Sequence, residues 1–143
     1  MQFSELFKDI MIEKDTNVQK LSKNTGIDDS VLYDYLYGAL PDVKYAVVLA
    51  NALDCSLNYL MGLDTDPKAV EFKNSYDISL FSDRYDNLLK ENKVSHYKLC
   101  KEKGLNYSSH YAWKRGSIPN MHSLIIIATY FDVSIDYLVG REK

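Results

Sequence analysis

The chain contains its own near-copy. Displaced by 78 positions, residues 3–62 align with 81–140 without a gap, and 17 of the 60 pairs are identical. The identities include Leu21/Leu99, Gly26/Gly104, Gly38/Gly116, Pro41/Pro119, Ser56/Ser134, Tyr59/Tyr137 and Gly62/Gly140. These are turn formers, helix caps and core apolars, the residues that fix a backbone rather than decorate it. Whatever one copy folds into, the other is expected to fold into as well. The division is residues 1–64, a linker over 65–80, and residues 81–143.

Each copy is a row of short helices. Leu6, Phe7, Ile10 and Met11 fall on one helical face. Asn17 and Ser95 are N-caps for a second helix that ends before Gly26 and Gly104. Asp28 and Asn106 cap a third helix, closed by Gly38 and Gly116. Asp42 and Asn120 cap a long apolar helix, and Ser56 and Ser134 a last short one. No segment alternates with period two for long enough to make a strand. The fold class expected is all-α, and Asp66-Pro67 adds a short helix over 68–74 in the linker.

Charge divides the copies. Residues 1–64 hold five Lys and Arg against ten Asp and Glu, whereas residues 81–143 hold ten against seven. An acidic half joined to a basic half implies divided labour. No apolar run nears the roughly 18 residues that span a bilayer, and the acidic start MQFSELFKDIM lacks the basic, apolar pattern of a secretory signal. A cytoplasmic protein with no membrane contact is expected. Cys55 and Cys100 sit in apolar helical patterns as buried reduced thiols, and His96, His110 and His122 show no metal spacing, so neither metal nor cofactor is expected.

Two helices joined by a tight glycine turn make the helix-turn-helix signal. The stretch 99–140 resembles the Cro/C1-type, or XRE-type, helix-turn-helix family through Leu99, Gly104, Trp113, Gly116, Pro119, Leu124, Ala128, Ser134, Tyr137 and Gly140. Residues 21–62 fit the same template more loosely. The resemblance implies two tandem five-helix lambda-repressor-like domains, with the third helix of each entering the major groove of double-stranded DNA.

Carried onto this chain, the resemblance places Asn106, Tyr107, Ser108, Ser109 and Tyr111 at the bases. Ser95, His96, Lys98, Lys101, Lys114, Arg115 and Ser117 would stand at phosphates. The first copy would turn Asp28, Asp29 and Asp34 toward the same phosphates, a repulsive surface, so it is not expected to read DNA this way. Both copies lack the family's Arg–Glu pair, with Met11 and Leu36 in one and Leu89 and Lys114 in the other. His110 stands at a usually aliphatic site, and neither reading face carries Arg or Gln.

Tyr33, Tyr35 and Tyr37 cannot all face one core, which marks the first copy as a surface for a homodimer or a protein partner. Tyr59, Tyr85, Tyr137 and Trp113 are expected in the core. Catalytic signatures are lacking: Ser95-His96-Tyr97-Lys98 matches SxxK only at a helix cap, so no enzyme is expected. The sequence reads as a DNA-binding transcriptional regulator acting through its second copy. The alternative is a protein–protein or antirepressor-like module that kept the fold without the DNA. A continuous positive face on the second copy favours the first reading, and interruption by Asp83, Asp86 or Glu102 the second.

Overall fold

A computed structural model describes residues 2–143. Among them the chain is all-helical, with one isolated antiparallel bridge between Phe72 and Glu142. The first half runs α1 (Phe3–Glu13), α2 (Val18–Thr25), α3 (Asp29–Leu36), α4 (Val43–Ala52) and α5 (Leu57–Leu60). A single 3-10 turn (Ile78–Leu80) leads into α6 (Phe81–Glu91), α7 (His96–Lys103), α8 (Ser109–Lys114), α9 (Met121–Phe131) and α10 (Ile135–Leu138). Four of the five second-half helices begin 78 positions after their first-half counterparts.

The caps read from sequence are in place. Asn17 accepts from the Lys20 amide at 2.9 Å, Asp42 from Tyr45 at 2.8 Å, Ser95 from Lys98 at 3.0 Å and Asn120 from Ser123 at 2.8 Å. Each satisfies a first-turn N–H that has no partner inside its helix. Gly26 and Gly104 close α2 and α7 at φ of 77° and 76°, a left-handed conformation that costs a side chain-bearing residue dearly. Two expectations fail. The helix over 68–74 does not form; the linker runs as turns and then pairs with the C-terminal residues. And α8 starts two residues later than α3 would predict, with Ser108 before it making no side-chain cap.

The same ring cluster organises both cores. Phe3 stacks on Phe7 at 5.5 Å with Tyr35 edge-on at 6.0 and 6.2 Å. Phe81 stacks on Tyr85 at 5.9 Å with Trp113 edge-on at 5.1 and 5.4 Å. Tyr35 is therefore a core residue, which removes it from the expected exposed patch. Burial also pushes its hydroxyl up to about 12. Tyr59 is buried as expected while Tyr137 is half-buried. Both cysteines are free, but only Cys55 is buried, its thiol pushed up to about 12 by burial; Cys100 is half-buried.

The halves meet end to end through α5 and α10. Asp136 accepts from the Leu57 amide at 2.9 Å and the Asn58 amide at 3.2 Å. Reciprocally, the Asn58 side chain accepts from the Ile135 amide at 2.8 Å. Asn58 and Asp136 occupy the same repeat position, so each short helix is capped by the other half. Arg141 lies beside this exchange with no exposed surface, bonding Asp136 at 2.8 Å and Asn51 at 2.7 Å, its guanidinium over the Phe72 ring. Amides of Lys73 and Lys143 donate to the Arg141 and Glu71 carbonyls at 2.9 Å, strapping the linker to the chain's end.

Candidate nucleic-acid interface

Two helix–turn–helix units, α2–α3 and α7–α8, are the structural candidates. In the second, Tyr107 in the turn, Tyr111 on α8 and Arg115 at its C-terminal cap are all exposed. Arg115 donates to the Tyr111 hydroxyl at 2.6 Å and lies over its ring at 5.3 Å. Tyr97 on α7 stands edge-on to Tyr107 at 6.1 Å, an exposed aromatic neighbour that sequence reasoning did not place at the site. Asn106 accepts from the Ser108 amide at 3.0 Å and hydroxyl at 2.8 Å, so its carboxamide oxygen is engaged by the turn. Ser95, Ser108 and Ser117 are exposed, and Ser109 is half-buried.

The basic residues separate into two groups. Lys98 lies 3.9 Å from Glu102, and Lys114 lies 3.7 Å from Asp86. Lys101, Lys103 and Arg115 are exposed and have no acidic partner among the described residues. The positive face is thus interrupted at Asp86 and Glu102, though the interrupting pairs are solvent-exposed and worth little in water.

His96 is not a phosphate grip. Its ring is 7% exposed and both nitrogens are engaged, Nδ1 with the Tyr85 hydroxyl at 2.6 Å and Nε2 with the Tyr107 carbonyl at 3.0 Å. The latter bond explains the late start of α8, because the Tyr107 carbonyl is drawn to the histidine. His110 packs on His96 with ring centres 4.5 Å apart and bonds Asp86 through Nε2 at 2.6 Å. The signal was present in the repeat: His96 and His110 replace Val18 and Leu32, two buried or core-facing aliphatics, at once.

The first unit differs in charge as well as in the start of its third helix. Asp28, Asp29 and Asp34 are exposed around α3. The Ser30 amide and hydroxyl both donate to Asp28 at 2.9 Å and hold its carboxyl below the usual range, so it remains an anion. Tyr33 is bonded to Gln19 at 3.0 Å, and Tyr37 is 87% exposed. Of the three tyrosines, two remain on the surface.

No helix among the described residues is long and apolar enough to cross a membrane. Searches among curated proteins and among solved structures found no significant match. Residues 7–60 do match a family model, described as Helix-turn-helix, and a domain of that family suggests a DNA-binding regulator in general. The match falls on the half that resembles the template more loosely, the one with Val18 and Leu32 where the second half has His96 and His110. From Phe7 to Leu60, then, the chain is similar to the helix-turn-helix family.

Proposed function

We propose that the protein is a DNA-binding transcriptional regulator built from two tandem five-helix helix-turn-helix domains, residues 1–64 and 81–143, joined by the linker 65–80. The helix-turn-helix match over residues 7–60 carries the general reading. The recurrence of helix starts and ring clusters at the 78-residue offset extends it to the second half.

The second half is the reader of double-stranded DNA. Phosphate affinity requires cations at the backbone, and Lys101 and Arg115 stand unneutralised on the unit that also carries the exposed Ser95 and Ser117. Lys98 and Lys114 exchange weak carboxylate partners for phosphate. Asn106, Tyr107, Ser108, Ser109 and Tyr111 then face the groove, with hydrogen-bonding groups on polar side chains and ring faces for thymine methyls. The three aspartates at α3 keep the first half away from phosphates in this mode. That half serves as a dimer or partner surface through Tyr33 and Tyr37. The protein works in the cytoplasm, without a catalytic step, metal or cofactor.

A second reading draws on one observation. Asp86 and Glu102 sit beside Lys114 and Lys98, which favours a protein–protein module that has given up DNA. Binding of the full chain to a labelled duplex across a salt series separates the two. Affinity should fall steeply with salt, and Lys114→Glu with Arg115→Glu should abolish binding while leaving the circular dichroism unchanged. Losing two phosphate contacts should flatten the salt slope of any residual binding by about 2. Unchanged affinity in that variant removes the second half from the role. No binding by the full chain even at low salt transfers the function to a protein partner.

A further inference from the structure

We propose that His96 and His110 form an acid-sensitive latch on the recognition turn of the second half: a proton on His96 breaks its bond with Tyr85 and drives the charged ring from its buried site, which frees the Tyr107 carbonyl and loosens the start of α8. The functional consequence rests on the DNA reading above; the latch itself does not.

The bonds around His96 admit one neutral arrangement. Nδ1 accepts from the Tyr85 hydroxyl, and Nε2–H donates to the Tyr107 carbonyl, with the Cys100 sulfur 3.2 Å away. Burial pushes the Tyr85 hydroxyl far up, so it stays a donor throughout the neutral and acidic range. A second proton on the imidazole sets an N–H against that O–H and leaves one hydrogen without an acceptor. It also places a cation in a nearly dry site.

The groups facing the pair come from three elements. Tyr85 and Asp86 approach from α6, Cys100 from α7, and Tyr107, Trp113 and Lys114 from the turn and α8. The Asp86 carboxylate lies against His110 and Lys114, not against His96. The added proton on His96 therefore meets the Tyr85 hydroxyl and has no carboxylate in direct contact. Among the described residues no three such side chains converge to hold a metal ion.

Burial holds His96 below the ordinary histidine value of 6.5; the Tyr107 carbonyl, the Asn106 backbone and the Asp86 charge oppose, while the neighbouring His110 pushes it the same way as burial. A group whose value is depressed in the closed state takes up a proton on opening. The latch is thus fully stabilised above about 6.5 and weakens as pH falls toward the depressed value. The first half is an internal control, because Val18 and Leu32 fill the same positions and do not titrate.

Trp113 is the chain's one tryptophan and stands edge-on to His96 at 6.1 Å, so its emission reports the latch directly. In the full-length protein, lowering pH from about 7.5 to about 5.5, across the histidine range, should change that emission reversibly. His96→Val with His110→Leu installs the first half's own pair and should abolish the change. His96→Gln keeps an amide donor for the Tyr107 carbonyl and should abolish it too, which guards against misfolding of the double variant. A flat wild-type profile, or the same transition in either variant, overturns the latch.

Duplex affinity over the same range should fall by up to about tenfold per pH unit in the wild type, as one linked proton allows. In the variants it should hold or rise as net charge becomes more positive. Wild-type affinity that does not fall overturns the link to DNA. If no duplex binds at any pH but the Trp113 change appears in wild type and vanishes in the variants, the DNA reading fails and the latch stands.

Discussion

Asp136 shows what a single buried carboxylate requires in this molecule. It has no exposed surface, yet its two oxygens accept from two backbone amides of the other half and from Arg141. Its neighbour Arg141 leaves only Nε without a partner. Removing one member of such a set strands the rest, so Asp136→Ala should destabilise the chain by about 3–5 kcal/mol in urea unfolding. A loss under about 1 kcal/mol would mean that water satisfies the orphaned groups after all. Little of this was legible beforehand. Asn58 and Asp136 do stand out as polar residues in the short apolar runs LNYL and IDYL, at one repeat position. That each caps the opposite half is a tertiary fact, fixed by residues 77 to 79 positions apart. His96 is the complementary lesson: as the first residue of a capped helix it reads as a phosphate contact, and only the packing of Tyr85 turns its ring inward.

At the scale of the elements, boundaries set by local chemistry were readable and those set by distant bonds were not. Asn17, Asp42, Ser56, Ser95, Asn120 and Ser134 announce helix starts because a cap acts within three residues of itself. The start of α8 depends on a carbonyl drawn to His96 from eleven positions away, and the linker's turns on pairing with residues 141–143. The glycines sort the same way. Gly26 and Gly104 have positive φ, and a Cβ at either would meet nothing within 4 Å. Substitution by Ala there should cost only the left-handed strain, about 1–2 kcal/mol. Gly140 has a similar φ of 74°, but a Cβ would lie 2.8 Å from the Asp77 carbonyl oxygen and 3.0 Å from its nitrogen. That nitrogen already donates to Val139 at 2.8 Å, so the strap cannot retreat without losing the bond. Gly140→Ala should therefore lower the melting temperature more than Gly26→Ala and Gly104→Ala do. Equal shifts for all three would show that the linker yields at no cost.

For the molecule as a whole, the question is whether two similar halves behave as one unit. Their helices and ring clusters are built separately, each around its own aromatic trio, and by themselves would unfold at their own midpoints. The junction opposes this. The reciprocal caps at Asn58 and Asp136 are lost from both halves if either opens, and Arg141, paired with Asp136 in its own half, bonds Asn51 across the same boundary. Opening one half thus exposes unsatisfied buried groups in the other, which penalises every half-folded state. Trp113 reports on the second half alone, whereas far-ultraviolet circular dichroism reports on helices of both. In urea the two signals should give one coincident transition for the full chain. In Asp136→Ala, where the shared caps are gone, they should separate, with the less stable half melting first. Separation already in the wild type would make the halves independent beads on a linker. Coincidence would mean that a folded junction fixes the second half's recognition unit relative to the tyrosine-bearing surface of the first, which a flexible tether does not supply.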